Sequence, residues 1–557
     1  MTTTTADGGR GRAPVYASIA LLAALSWGVL LLSPNALFWD DWVVVNNDTT
    51  EWAREMGLPW IAPVIIGLLA LGPWTFKVIA ILGTVIVGWT SYEIAGRGFG
   101  LATGERWMLA ALVVTLPLNA TRGIVILGTY SWSITLFFIA WFLLVWKSPS
   151  AAGRIRYVAA AVLLFASYTT ASLLPFTLLP AAHLAFLSIS RDAGFLSGLW
   201  RFVRNFWWLA LAPVLFWIVR TLFFQPYGLY ADYNKVTLGL DLVGIAALAL
   251  LLVTLVTVAL VGYLLGCAWR NRPPHRATLL VLGLITAGMA AFVYVTRVSP
   301  APVALVIPFM LGASAIVVVV LGIARITRSL ASRNDAQRVE LVLALGLLAF
   351  MLAIVPYLLV GKLPSFENWE TRHQVLESLG FATILVATAR AARALVRPAV
   401  VTAVAAAIIA ISAATSAYVG LALVADSQKQ AQLTAALAQE PLVQQASTVV
   451  FSDLATQFNY DRRPLGFNEY SGWLARAFGD HTRLGINDFK VPMLLNGEFD
   501  GALAAADRYG FGDYVPSTDG VLVEIRPAEG ATWWGLLTGA PSIELTVLPI
   551  DDLSSIG

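Results

Sequence analysis

Apolar residues run almost unbroken for stretches of about 17–25 positions, then yield to short polar breaks, and this alternation repeats along the first 424 positions. Helices that are apolar on every face belong in a hydrocarbon layer, where each backbone group must be satisfied within its own segment. Runs near 15–33, 74–95, 106–120, 124–146, 155–169, 171–189, 203–222, 241–268, 277–296, 301–324, 340–360, 378–396 and 399–424 predict about thirteen membrane-spanning helices. Segment 58–72 is shorter and bounded by Pro and Gly, and it predicts a helix lying in the membrane interface or dipping into it. After 424 the pattern changes. Residues 426–447 read as a solvated amphipathic helix, Ser447–Ser452 and Gly520–Ile525 as strands, and Asn468–Ala477 as a helix between them.

Charge gives this pattern a direction. With the N-terminus in the cytoplasm, successive inner loops carry Arg97 and Arg106, then Lys147, Arg154 and Arg156, then Arg191, Arg201 and Arg204. Arg270, Arg272 and Arg276 follow, then Arg325, Arg328, Arg333 and Arg338, and last Arg390, Arg393 and Arg397. The outer loops hold far fewer cations, which is the positive-inside pattern of a multi-pass protein. The expected fold is a polytopic α-helical membrane protein with a small C-terminal extracytoplasmic α/β domain. Residues 1–14 form a cytoplasmic tail, 15–424 the transmembrane unit with its first outer loop at 34–73, and 425–557 the extracytoplasmic domain.

Composition agrees: 58% of residues are apolar, 12% are charged, and mean hydropathy is +0.75. Cys267 is the only cysteine, so the outer domain has no disulfide within the chain to support it. Abundant Ala and an excess of Arg over Lys point to a high-GC bacterial gene, and hence to a bacterial plasma membrane. The apolar run after Arg12 lacks a small-residue cleavage site and reads as a retained first helix.

Against that background Phe38-Trp39-Asp40-Asp41-Trp42 stands out, with two adjacent carboxylates between indoles just past the first span. Ionisable groups at a membrane are costly and mark function by default. The plainer alternative is a solvated turn in which Asp40 caps a following helix. The address favours function, because a lipid-linked substrate presents its head at this level and the indoles can stack on a sugar ring or sit among headgroups.

A second constellation lies in the outer loop after Val360, where Glu367, Trp369, Glu370, Arg372 and His373 gather within Phe366–Gln374. Arg or protonated His stabilises the charge that develops on a phosphodiester leaving group. The alternative is anchoring, with Trp369 among headgroups and Arg372 paired to Glu370 or to lipid phosphate. Arg122, Arg297 and Arg220 are further outer arginines, with snorkelling as the competing role. Tyr168 to Ser172 makes a polar connection that either lines a cavity or packs helices, and the aromatic loop 223–233 either contacts substrate or forms part of an interfacial belt. His183 reads as a packed helix residue. Trp473, Trp533 and Trp534 are sugar-stacking candidates, with core burial as the alternative. The sequence has no zinc spacing, no phosphate-cradling Gly loop and no Ser-His-Asp pattern, and nothing in it points to nucleic acid.

An Asp-Asp in the first extracytoplasmic loop, about a dozen spans and a soluble outer domain together resemble the GT-C glycosyltransferases. The likeness covers the whole chain in architecture and residues 35–48 in motif. It implies sugar transfer from a polyprenyl-phosphate carrier to a cell-wall polysaccharide, or another envelope glycan or glycolipid, on the outer face. Under it Asp40 or Asp41 is the general base, which must lie within about 3 Å of the acceptor hydroxyl. The other carboxylate orients the first, binds the acceptor or helps hold a divalent cation (Mg, Mn or Ca), with Asp41 as the candidate metal ligand. Arg372, His373, Arg297 and Arg122 become candidates for the donor phosphate, and Trp39, Trp42, Glu370, Trp369 and Tyr168 for substrate contact. The partners implied are a polyprenyl-phosphate-linked sugar, the acceptor and membrane lipid. A transporter or flippase of lipid-linked glycans is the competing reading, which the lack of an internal repeat disfavours. A non-catalytic envelope-assembly protein is the third.

Overall fold

The computed structural model describes residues 12–231 and 333–556, apart from 47, 98, 100, 147–151, 190–194, 359, 361, 363–367, 394 and 395. The spans expected near 241–268, 277–296 and 301–324, together with Arg297, lie outside the described residues.

Helix α1 (Ala13–Trp27) is continued by a 3-10 turn at Gly28–Leu32. The first loop folds into α2 (Asp41–Asn46), α3 (Thr49–Glu55) and α4 (Ala62–Leu71). Then come α5 (Trp74–Ala95), α6 (Thr103–Thr115), α7 (Gly128–Val145), α8 (Ala152–Ser167), α9 (Leu173–Phe176) and α10 (Leu178–Ile189). They are followed by α11 (Phe195–Phe206), α12 (Trp208–Phe223), α13 (Arg333–Leu358), α14 (Glu377–Ala392) and α15 (Pro398–Leu437).

Four of the described helical segments are long and apolar enough to cross a membrane: Ala13–Leu32, α5, α7 and α15. A fifth results if α11 and α12, bent by 40° at their junction, count as one span. The chain is therefore a helical membrane protein, with fewer full-length spans among the described residues than the apolar runs predict. The shortening has local causes. The run expected at 106–120 stops at Thr115 because Leu116, ahead of Pro117, is forced into extended backbone. The run at 171–189 is divided at Thr177. Segment 58–72 forms a 3-10 turn at Pro59–Ile61 and then α4, with Trp60, Val64, Ile66 and Leu71 exposed.

The bundle has two distinct ends. At one, Arg12 and Arg97 pair with Glu93 (3.2 and 3.6 Å), while Arg390 and Arg393 pair with Glu105 (3.0 and 3.4 Å). At the other lie the first loop, the turns at Ala120–Gly123 and Asn368–Gln374, and a sheet domain.

Helix α15 runs unbroken for 40 residues, about 60 Å, so position 424 falls inside a rod that carries the sheet domain. Strands β1 (Thr448–Asp453), β2 (Leu484–Asn487), β3 (Gly520–Pro527) and β4 (Ile543–Ile550) are ordered β2-β1-β3-β4. β1 is parallel to β2 and β3, and β4 is antiparallel to β3. Helix α16 (Phe467–Phe478) links β1 to β2, and Tyr470 on it stacks on Phe451 of β1 at 4.1 Å. A short helix, α17 (Trp533–Leu537), links β3 to β4.

The carboxyl end of β1 points back at the helical bundle. There Lys429 of α15 bonds both oxygens of Asp453 at 2.7 Å and Asn459 Oδ1 at 2.7 Å. The indole of Trp42 lies flat on Gly472 of α16, where a Cβ would come within 2.4 Å of the ring. The sheet domain is thus packed onto the first loop as part of one core.

Candidate active site

The site is built on a strained turn. Trp39 has φ +46, a left-handed conformation that costs a bulky residue about 1–3 kcal/mol and persists only where its surroundings impose it. Residues of the sheet domain, some 430 positions away, impose it here. The Trp39 N–H donates to Glu469 Oε1 (3.1 Å), Asn468 Nδ2 donates to the Trp39 carbonyl (3.0 Å), Arg463 lies over the indole at 4.3 Å, and Tyr460 meets it edge-on. Arg463 is itself buried, bonding Glu469 Oε1 at 2.7 Å and Asp426 Oδ2 at 3.2 Å. Burial pulls this guanidinium's pKa down, and the two carboxylates more than offset that, leaving it raised.

The two carboxylates of the turn have different surroundings. Asp41, the first residue of α2, is fully buried. One oxygen accepts from Ile126 N at 2.8 Å and the other from Phe38 N at 3.1 Å. Burial pushes its pKa up to about 7 against those two donors and Lys77. Asp40 is half-buried and reaches Asn468 Nδ2 at 3.4 Å. Burial raises its pKa above the ordinary carboxylate value, Arg372 draws it back down, and Glu469 pushes it up.

Arg372 acts on Asp40 through its charge, from a different turn. It lies half-buried in the 3-10 turn Asn368–Gln374, and its Nε donates to His373 Nε2 at 3.2 Å. His373 is buried against Tyr357, and a ring nitrogen that accepts from Arg372 cannot also donate to a phosphate. Thr371 Oγ1 bonds Thr121 Oγ1 at 3.3 Å, so the loop that supplies Ile126 N–H to Asp41 also braces the Arg372 turn. Arg122 is on that same loop, buried, with its guanidinium 3.8 Å over Trp27 and its donors on Asn119 O (3.1 Å) and Thr84 Oγ1 (3.0 Å).

Asp40, Trp39 and Arg372 therefore come together at one end of the bundle, with Arg122 in the adjoining loop. Trp42 is placed in the core against α16 and presents no face to a substrate. Tyr168 is buried too, its hydroxyl 2.9 Å from Thr177 Oγ1. Trp369 and Glu370 lie on the same 3-10 turn as Arg372. Trp473 is buried in the sheet domain, whereas Trp534 is exposed.

Sequence reasoning missed Asn468, Glu469 and Arg463, because no local pattern marks a helix N-terminus that touches a turn hundreds of residues away. It also missed Glu377, which is fully buried on the first turn of α14 with neither carboxyl oxygen hydrogen-bonded. A lone acid opening an apolar helix three residues after Gln374 was the available signal.

A divalent cation needs several oxygen ligands. Among the described residues no three of His, Cys, Asp and Glu gather for one, and both oxygens of Asp41 face N–H donors, so Asp41 does not fit the ligand role. Its two oxygens instead tie the turn to the loop at Ile126. Asp41→Ala leaves two buried N–H groups without acceptors, at about 1–3 kcal/mol each, and the expected result is a clear drop in the unfolding temperature of the detergent-solubilised protein. An unchanged transition would remove Asp41 from this role. Compared with protein-family models, curated proteins and solved structures, the chain gives no match.

Proposed function

We propose that the chain is a glycosyltransferase of the bacterial plasma membrane. In this reading its N-terminus is cytoplasmic, its sheet domain extracytoplasmic, and its donor a polyprenyl-phosphate-linked sugar. The observation that carries the proposal is a half-buried carboxylate, Asp40, within electrostatic reach of the guanidinium of Arg372 at the end of the bundle that bears the sheet domain. A base for an acceptor hydroxyl and a cation for a departing phosphate are the two groups such a transfer needs.

In that step the acceptor oxygen attacks the anomeric carbon and its proton passes to Asp40. The bond from carbon to phosphate oxygen breaks, and its electron pair leaves with the polyprenyl phosphate beside Arg372. Asn468 holds Asp40 in place, and Asp41 fixes the turn from beneath. The strain at Trp39 supports the reading, since imposed backbone strain concentrates at functional sites.

The test is transfer by the full chain in nanodiscs, given labelled polyprenyl-phosphate sugars and envelope acceptor glycans. Label appearing in the acceptor with release of polyprenyl phosphate supports the proposal. Movement of lipid-linked glycans across vesicles, with no transfer from any carrier, replaces it with a transporter. Within the active enzyme, Arg372→Ala should raise the donor KM. It should also move the acid limb of kcat/KM to higher pH, because Arg372 holds the Asp40 pKa down and the base works only when ionised. A limb that stays in place would separate Arg372 from Asp40.

A further inference from the structure

We propose that the short helix α17 seats the sheet domain on lipid, with Trp534 inserted at the headgroup boundary of the leaflet on that side. The inference rests on the membrane character of the helices and is independent of the reaction.

The level of the boundary can be read from α15. Its exposed apolar residues Val400, Val404, Ile411 and Tyr418 end at Tyr418, and from Ala422 to Asp426 every residue is buried. Pro398 to Tyr418 rises about 30 Å, one hydrocarbon thickness. The first span gives the same level independently. Gly420, two residues past Tyr418, lies so close to Val29 that a Cβ there would come within 2.4 Å, and Val29 is in the last turns of Ala13–Leu32.

Helix α17 sits at this level. Trp533 stacks on the exposed ring of Tyr418, with centroids 5.9 Å apart and planes inclined by 26°. Leu536 is buried in the domain core, and Thr532 Oγ1 caps the helix by accepting from Gly535 N at 3.0 Å. The segment after α17 is tied to α15 through Gln432, which bonds Ala540 O at 2.8 Å and Ser542 N at 3.0 Å. Held in this way, Trp534, the neighbour of the Trp533 that meets Tyr418, stands 68% exposed.

An indole at this depth places its ring against acyl chains and its N–H among headgroups. Residues 528–542 contain Glu529 and no Lys or Arg, so the attraction is to the neutral interface and not to anionic lipid. The strand directions agree: β3 ends and β4 begins beside α17, whereas Asp551, just past β4, lies at the opposite end of the sheet.

The test uses the full chain carrying Cys267→Ser, in phosphatidylcholine nanodiscs, with a nitroxide at Trp534→Cys or at Asp551→Cys. The expected result is that the label at 534 collides more with oxygen than with a water-soluble nickel chelate, and the label at 551 the reverse. Trp534→Phe in the otherwise unaltered chain should also lose part of the fluorescence quenching by brominated lipid. A label at 534 as open to nickel as that at 551, unchanged quenching in Trp534→Phe, or contact that appears only when anionic lipid is added would each overturn the proposal.

Discussion

Asp40→Asn is expected to lower the proposed glycosyl transfer by about 10²–10⁴-fold in kcat, while the protein unfolds at an unchanged temperature. The separation of effects follows from how little of the fold Asp40 supports. Its side chain is half-buried, it bonds no backbone N–H of the core as Asp41 does, and its bond to Asn468 is long, at 3.4 Å. An amide of the same shape keeps that contact and cannot take a proton from a hydroxyl. Asp41 behaves in the opposite way, because its oxygens hold two backbone N–H groups inside the core. The measurement is transfer rate and thermal unfolding for both variants in the same detergent. Full transfer by Asp40→Asn would end the assignment of Asp40 as the base, whatever the fate of Asp41.

The two acids could not be told apart in the sequence because they are neighbours with the same flanking indoles. What separates them is contact with Ile126 on one side and Asn468 on the other, and neither partner is local. Helices written in unbroken apolar composition were legible: α5 begins and ends where its run does, at 74 and 95. Helix α16 and strands β1 and β3 fell within a few residues of the periodicity that predicts them. β2 is only four residues long and offered little alternation; β4 alternates cleanly over Ile543–Val547 before Leu-Pro-Ile, yet neither strand was foreseen. The junction at 424 was misleading for a physical reason. The change from apolar to polar at Ala425 marks where α15 passes from a face of exposed apolar residues into a protein interior, in which Asp426 and Lys429 are both buried and bonded. Composition records the change of surroundings, and the helix itself continues. The approach of Arg372 to Asp40 was foreseen only as a shared side of the membrane; the loop from Asn119 to Ile126 that braces both was not.

Arg463→Met is expected to be among the most damaging single changes outside the site itself. Arg463 is buried between Asp426 and Glu469, which are both fully buried and both committed to backbone donors, Tyr460 N and Trp39 N. Removing the cation takes the ion-pair partner from two buried carboxylates, and stranding one partner of a buried pair costs about 3–5 kcal/mol. The expected result is a clear drop in the unfolding temperature of the detergent-solubilised protein. Transfer should fall as well, because the left-handed turn at Trp39 loses the ring contact and the ordered Glu469 that impose it. A displacement of about 1 Å in Asp40 is enough to cost about 10²-fold. The deficit should lie in kcat more than in donor KM, since Arg372 approaches from a different turn. Wild-type unfolding and wild-type kcat in Arg463→Met would mean that the sheet domain does not hold the turn that carries Asp40.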